Sequence, residues 1–357
     1  MSEIFVELVK VRYLLAEALG YSSYVEYAYD GWGYEYTKDD FAGLLSDIST
    51  YVNPVYNKLY SLLFSYYFNE NSAPKATYAA AMNTAFNTTK ELDDEFSDIY
   101  NFMLLYGLYD VGVSNNTRFD ASFTTYLYGN DSPYLYVTAV GTAIDYHSIT
   151  HEFGHFIDYY VNGANSSSLE LAEVCSQGFE LLSLSKLKSN ATSSVYKYLL
   201  YKSLCDFFEV VVYQSFYAAF EHEVYSLPYE SITMASMLEA IDSAERKVFG
   251  NDERDLRMSN MMIPHMFIAP MYVQSYATSV IPAMEIYLLE TEKVGAGLEA
   301  YKTIIYREED AGFLESLSEA GLSSPFERGV LDDMSDKIYF LLTGIHYKQE
   351  SNGSNAA

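Results

Sequence analysis

The chain has 357 residues, half of them apolar, and 49 acidic against 21 basic side chains give it a formal net charge of −28. A chain of this length and apolar content can bury a sizeable core, which excludes general disorder. The negative charge repels phosphate backbones and anionic lipid surfaces, so the sequence argues against nucleic-acid and membrane partners.

The sequence shows neither a signal peptide nor an apolar run of membrane-spanning length. A cytoplasmic location is therefore the default expectation, with export left open. Cys175 and Cys205 are the only cysteines, too few for a disulfide scaffold and without the paired spacing of a structural zinc site. We predict that both are buried thiols, and a bond between them stays open.

The N-terminal part of the chain is predicted to be helical. Residues 3–19 carry apolar side chains at helical spacing and stop at Gly20. Thr37 followed by Asp40 has the form of a helix N-cap with an acid three positions on. The apolar periodicity then runs to residue 68, and its interruption by Pro54 predicts one kinked helix or two.

The amino-acid composition changes after a further predicted helix at 92–108. Residues 119–128 and 134–140 are rich in Thr, Tyr, Phe and Val, and the segment 129–133 between them carries turn residues. The pattern predicts a β-hairpin. Because the hairpin directly precedes the next motif, we expect one strand to form the rim of a cleft, where an extended peptide could add as a strand.

The run His151-Glu152-Phe153-Gly154-His155 carries most of the chemical information in the chain. Histidines four residues apart share one face of a helix and can present two imidazoles to one zinc ion, with the glutamate beside the metal as a base. The alternative is a pair of core histidines. Two of them at ligand spacing around a glutamate exceed what packing requires.

A catalytic zinc needs a third protein ligand and an open position for water. Three acids lie shortly downstream on a predicted helix, at Glu170, Glu173 and Glu180. Glu173 and Glu180 are two helical turns apart and share a face, while Glu170 lies only slightly off that line. Spacing alone does not choose among them.

From residue 193 onward the sequence predicts only helices. They are placed at 194–225, 231–249, 270–289, 295–306 and 325–342. No repeat or linker divides the chain, so we predict one helical domain over residues 1–350, with two lobes around a cleft, and a disordered tail at 351–357. The predicted fold class is mainly α, with a small β-hairpin or sheet beside the His-Glu-x-x-His helix.

Hydrolysis of a peptide bond also needs a donor that stabilises the oxyanion. Tyr272 and Tyr276 are four apart on a predicted helix, which projects both hydroxyls to the same side. By spacing alone, a pair of core tyrosines is the favoured interpretation.

These motifs together resemble the thimet oligopeptidase and oligoendopeptidase F family of zinc peptidases. The resemblance rests on His-Glu-Phe-Gly-His and on Glu173-Val-Cys-Ser-Gln-Gly-Phe-Glu180, whose last glutamate follows the second histidine by 25 residues. It implies a zincin-type helical fold and one Zn²⁺ per chain, bound by His151, His155 and Glu180. It also implies that Glu173 supports the site from outside the ligand set.

Further residues take expected roles from the same resemblance. Asp145 matches an acid next to the site, although a helix-capping role is an equal alternative. The stretch 263–278 carries the family's Pro-His, Tyr-Val and Tyr-Ala-Thr, which implies that His265, Tyr272 and Tyr276 hold substrate and oxyanion. Ser279 stands where the thimet branch has another tyrosine, which favours Tyr276 over Tyr272. The family usually has an additional helical N-terminal lobe, which another chain could supply.

The sequence therefore predicts a zinc-dependent metalloendopeptidase of the glutamate-zincin type that acts on short peptides through a metal-activated water, with Glu152 as general base. One alternative is a metallocarboxypeptidase, which would need a cationic group for the substrate C-terminus. Another is a non-catalytic peptide-binding module. The presence of Glu152 argues against that module, because a structural zinc site needs four protein ligands and no base.

Overall fold

A computed structural model describes residues 2–67, 69, 72–165, 168–250 and 263–349. The described chain is mainly helical with one small sheet, which confirms the predicted fold class. The helices before the sheet are α1 Ser2–Ala18, α2 Tyr24–Trp32, α3 Lys38–Asp47, α4 Asn53–Leu59, α5 Ser65–Tyr67, α6 Tyr78–Leu92 and α7 Asp94–Tyr106. Those after it are α8 Asp145–Asn162, α9 Leu169–Asn190, α10 Ser193–Tyr225, α11 Met234–Phe249, α12 Pro264–Ile268, α13 Gln274–Glu292, α14 Ala296–Ile305, α15 Phe313–Glu319 and α16 Val330–Thr343.

None of these described helices is both long and apolar enough to cross a membrane. The tail predicted at 351–357 lies outside the described residues.

The chain divides into two compact units, each assembled from separate stretches of sequence. Unit 1 comprises Met1–Lys58, Phe208–Thr278 and Pro325–Ala357, and unit 2 comprises Leu59–Phe207 and Ser279–Ser324. Three of the four boundaries fall inside helices, in α4, α10 and α13, where no change of composition marks them in the sequence.

The helix termini of unit 1 follow local sequence signals. Thr37 and Asp40 form the predicted capping box, in which each side chain accepts a hydrogen bond from the backbone N–H of the other residue. A π-helical turn, Ile48–Val52, joins α3 to α4 and buries its first and last residues. Pro54 is the second residue of α4, directly after this turn.

Unit 2 contains a three-stranded sheet formed by β1 Tyr109–Val113, β2 Ser122–Leu127 and β3 Ser132–Ala139. The order is β1-β3-β2, with β1 parallel and β2 antiparallel to β3. The predicted hairpin is therefore confirmed as β2 and β3. Leu135, Val137 and Ala139 alternate along β3 and are fully buried, and β2 and β3 both contact α8.

Some elements differ from the predicted ones for local physical reasons. The helix predicted from residue 270 begins only at Gln274, because Met271 has a φ of 65°, which no α-helix accommodates. The helix predicted at 92–108 is α7, which begins after the extended N-cap residue Asp93. The sequence prediction missed four elements, which are α6, α12, α15 and β1.

Candidate metal centre

Helices α8 and α9 cross in close contact within unit 2, and a glycine makes this contact possible. A Cβ added at Gly154 would lie 2.5 Å from the carbonyl oxygen of Cys175 and 2.6 Å from the Cα of Ser176. Both neighbours are backbone atoms, so only glycine fits without displacing a helix. The close approach brings the histidines of α8 to the glutamates of α9.

His151, His155 and Glu173 bring three potential metal ligands together. The Nε2 atoms of His151 and His155 lie 3.8 Å and 3.9 Å from Oε2 of Glu173. One ligand atom from each of the three residues lies within 4.8 Å of the others. Two imidazoles and one carboxylate match the donors of a catalytic zinc site, and the residues present therefore fit a zinc ion.

Glu180 lies on the other nitrogen of the His151 ring. Its Oε2 is 3.2 Å from Nδ1 of His151, and its Oε1 is 3.9 Å from Nδ1 of His147. The resemblance implied that Glu180 is the third ligand and Glu173 a supporting acid. The geometry gives the two acids exchanged positions, because two turns of α9 separate them and only Glu173 lies level with both Nε2 atoms.

Glu152 is held by a threonine that the sequence interpretation missed. The Oγ1 atom of Thr124, on β2, lies 2.8 Å from the backbone oxygen of Glu152 and 3.0 Å from its Oε2. Glu152 itself is only 6% exposed. The hairpin signal was visible in the sequence, but the register of β2 against α8 was not.

Burial and nearby charges shift the pKa values of His151 and His155 in opposite directions. Burial by itself lowers the pKa of His151, but its hydrogen bond to Glu180 and the charges of Glu152, Glu173 and Glu180 raise this pKa to about 9. Burial, together with the charge of His151, lowers the pKa of His155 to about 3. A cation bound at Nε2 would compete with the proton that this raised pKa favours on His151.

The acids of the centre are shifted in opposite directions. Burial raises the pKa of Glu152 to about 6, although His151 and Thr124 act against the rise. Burial also raises the pKa of Glu180, but the hydrogen bond from His151 and the positive charges of His151 and Lys202 lower it overall. Glu152 is therefore mostly ionised near neutral pH and still basic enough to accept a proton.

Asp145 is the first residue of α8 and does not take the capping role that the sequence left open, because the N-cap is Ile144 and no side-chain hydrogen bond caps it. It lies in the first turn of α8, where its two oxygens accept hydrogen bonds from the backbone N–H groups of Val140 and Gly141. It thereby fixes the connection from β3 to α8. Cys175 and Cys205 are both buried thiols that form no disulfide, which confirms the predicted buried thiols.

His265, Tyr272 and Tyr276 form an aromatic cluster in unit 1. Ring centroids lie 5.5 Å apart for His265 and Tyr272, 5.9 Å for His265 and Tyr276, and 5.3 Å for the two tyrosines. Burial lowers the pKa of His265, so its ring is neutral near pH 7. The three residues that the family resemblance singled out are therefore neighbours within their own unit.

Side chains from elsewhere in unit 1 hold the backbone between α12 and α13. The backbone N–H of Met271 donates to Oε1 of Glu221 at 2.9 Å, and its carbonyl accepts from the Tyr34 hydroxyl at 2.9 Å. The Trp32 indole N–H donates to the carbonyl of Pro270, also at 2.9 Å. These bonds stabilise the left-handed Met271, on which the start of α13 and the position of Tyr272 depend.

Comparisons with known proteins point in one direction. No protein-family model matches the chain. A curated Borreliella burgdorferi protein named oligoendopeptidase F homolog is 23% identical over 228 residues, which cover 60% of this chain and 38% of that protein. The structure of PZ peptidase A with an inhibitor has a TM-score of 0.84 at 22% identity, covering 96% of this chain and 65% of that one.

A Bacillus anthracis str. Ames structure, provisionally named oligoendopeptidase F, has a TM-score of 0.81 at 22% identity, covering 96% of this chain and 63% of that one. The chain thus spans less than two thirds of the length of these relatives. Its fold is that of oligoendopeptidase F structures, and the resemblance indicated by the sequence motifs is confirmed.

Proposed function

We propose that the protein is a zinc-dependent metalloendopeptidase that hydrolyses internal bonds of short peptides. The observation that carries this proposal is the approach of His151, His155 and Glu173 to one another, with the buried base Glu152 on the same helix. The similarity to oligoendopeptidase F proteins supports a peptidase rather than another zinc enzyme.

In this proposal Glu173 is the third metal ligand and Glu180 is a positioning residue. A carboxylate on Nδ1 of His151 fixes the ring and leaves Nε2 to bind the metal, which is how ligand histidines are commonly held. Because Glu173 has both Nε2 atoms nearby and Glu180 has neither among its described contacts, the roles implied by the resemblance are exchanged.

The chemistry divides between the ion and the chain. When bound, zinc makes a water more acidic and polarises the substrate carbonyl. Glu152 accepts the proton from the attacking water and later delivers it to the leaving amine. Burial raises the pKa of Glu152, which makes its carboxylate a stronger base than an exposed one.

We propose that the hydroxyl of Tyr276 stabilises the oxyanion and that Tyr272 and His265 contact substrate. The proposal rests on the family resemblance and on the mutual packing of the three rings. A phenol donor to the developing oxyanion acts only when the tetrahedral charge forms.

The same proposal gives β2 a role in holding substrate. Among the described strands, β2 pairs only with β3, so one edge of β2 is open for an extended peptide. The contact of Thr124, on this strand, with Glu152 supports the role.

Digestion of a mixed peptide library, read by mass spectrometry, tests the function. The zinc-loaded protein should cut short peptides internally, and a zinc chelator should stop the cutting. Glu152→Gln should retain zinc and lose activity, because the amide keeps the size of the side chain and removes the base. Cuts only at free C-termini, absent from amidated peptides, would indicate a carboxypeptidase. No cutting at all would leave a peptide-binding module.

A further inference from the structure

A third histidine lies on the same face of α8, one turn before His151. His147 is 7% exposed, and the proposed mechanism does not use it. Its Nε2 lies 3.0 Å from the hydroxyl oxygen of Ser203, on α10, and its Nδ1 lies 3.9 Å from Oε1 of Glu180.

The carboxylate of Glu180 therefore lies between two imidazoles. One oxygen faces Nδ1 of His147 and the other faces Nδ1 of His151. At 3.2 Å the contact with His151 is a hydrogen bond, whereas at 3.9 Å the contact with His147 is electrostatic. Together they restrict the carboxylate to one orientation on α9.

The tautomer of His147 follows from its two neighbours. A neutral imidazole has one N–H, and the carboxylate of Glu180 favours that N–H on Nδ1. Nε2 is then an acceptor for the Ser203 hydroxyl, whose oxygen lies within hydrogen-bond distance. The Ser203 hydroxyl thus donates to His147, and the N–H of His147 faces Glu180, which also contacts His151.

We infer that His147 is a positioning residue that acts through Glu180 to set the orientation of His151, and thereby the zinc affinity of the centre. The inference rests on the proposed metal site. Outer partners of a metal-bound histidine hold its ring ready for the ion, so loosening them weakens binding without removing a ligand.

The other groups around His147 leave this assignment intact. The Thr150 hydroxyl bonds only to backbone carbonyls, including that of His147. Lys202, which directly precedes Ser203 in the sequence, forms an ion pair with Asp206. The Tyr146 hydroxyl bonds to Thr88 and Ser183.

The test is a zinc dissociation constant, measured by competition with a chromogenic chelator. His147→Phe keeps a ring of similar size and removes both nitrogens, and we expect about 3- to 10-fold weaker binding, below the range for direct partners of a ligand. His147→Asn should restore most of the affinity, because its amide nitrogen is bonded to Cγ as Nδ1 is. Tyr146→Phe is the control for loss of a buried polar contact on α8, and its zinc affinity should match that of the wild type.

A double-mutant cycle tests whether the effect passes through Glu180. In a Glu180→Ala background, His147→Phe should weaken zinc binding no further. The inference is overturned if His147→Phe binds zinc as the wild type does, or if its effect persists undiminished without Glu180. Failure of the wild type to bind zinc would overturn the metal site and this inference together, whereas normal zinc binding with no coupling would overturn the inference alone.

If His147→Phe does not fold, Ser203→Ala makes the same test more gently. It leaves the imidazole in place and removes its Nε2 partner. A smaller loss of affinity, again absent without Glu180, is expected. Unchanged affinity in Ser203→Ala would then overturn the inference.

Discussion

At the scale of single residues, the two ring nitrogens of His151 lie close to two different carboxylates. Glu173 approaches His151 on Nε2, and Glu180 approaches it on Nδ1. The spacing of seven residues makes both acids available on one face of α9 but does not say which one a histidine meets at Nε2. Which of the two glutamates reaches Nε2 depends on the position of α9 along the axis of α8. Tertiary packing sets that position.

Thr124→Val tests whether β2 tunes the base. The hydroxyl contact lowers the pKa of Glu152, so its loss should raise that pKa and shift the acidic limb of the pH profile of kcat/KM to higher pH. We expect kcat to fall about 10-fold, the equivalent of about 1.4 kcal/mol for one hydrogen bond to a charged group. Thr125→Val, the neighbour on the same strand, is the matched control. Coinciding pH profiles for the two variants would contradict a role for Thr124.

Tyr276→Phe tests the proposed oxyanion donor. Removal of one donor should lower kcat by about 100- to 1,000-fold with little change in KM, because the bond is made only as the tetrahedral charge develops. Steady-state kinetics on a short fluorogenic peptide measures both constants. Tyr272→Phe should be milder, and the reverse ranking would show that the wrong tyrosine was chosen.

At the scale of secondary-structure elements, the crossing of α8 over α9 depends on a missing side chain. Gly154→Ala would place a methyl group 2.5 Å from the carbonyl oxygen of Cys175, and a backbone atom cannot yield as a flexible side chain would. We expect a loss of about 1–3 kcal/mol or more in stability, together with weaker zinc binding, because the helices must move apart.

Gly43→Ala is the control for this substitution. Gly43 lies inside α3, has ordinary helical φ and has open space where a Cβ would stand. There the change should be neutral or stabilising by up to about 1 kcal/mol, because alanine favours helix more than glycine does. Equal melting temperatures for Gly154→Ala and Gly43→Ala would contradict the tight crossing.

The segment between α12 and α13 carries a pH-sensitive contact. Glu221 is fully buried, and burial raises its pKa to about 8, although the backbone N–H of Met271 and the charge of Arg12 oppose the rise. Between the ordinary glutamate pKa of 4.5 and a pH of about 8, the folded state holds a proton that the unfolded state has lost. The contribution of Glu221 to stability is therefore present below pH 4.5 and is lost as the pH rises through 8.

Glu221→Gln should accordingly gain stability relative to the wild type as the pH rises. The amide mimics the protonated acid, and the gain should approach about 1.4 kcal/mol per pH unit within this window. Urea unfolding at several pH values between 5 and 8 measures it, with Glu17→Gln on the exposed face of α1 as control. A difference between variant and wild type that stays flat across this range would show that Glu221 is ionised in the folded state.

At the scale of the whole molecule, the sequence predicted the elements that carry strong local signals. The capping box at Thr37 was found because its two partners, Thr37 and Asp40, lie three residues apart in the sequence. Helix α6 was missed because its buried face is made of alanine, threonine and one leucine, which give little contrast in hydropathy. Strand β1 was missed because it is short, contains Asp110 and Gly112, and pairs in parallel with a distant strand.

The sequence predicted the candidate site only in part. The motif identified His151, His155 and Glu152, because their geometry is fixed by one helix. Thr124 and His147 were not found, since their contacts depend on strand register and on the packing of α9 and α10. His147 did leave a signal, as it stands four residues before His151 on the same face.

The zinc content of purified variants, measured together with their zinc dissociation constants, shows which residues are the metal ligands. The wild type should bind one zinc per chain, and His155→Ala and Glu173→Ala should lose it, because each removes a ligand. Glu180→Ala should keep the zinc with about 10- to 100-fold weaker affinity, as expected when only the support of His151 is removed. Zinc retained by Glu173→Ala and lost by Glu180→Ala would contradict the account.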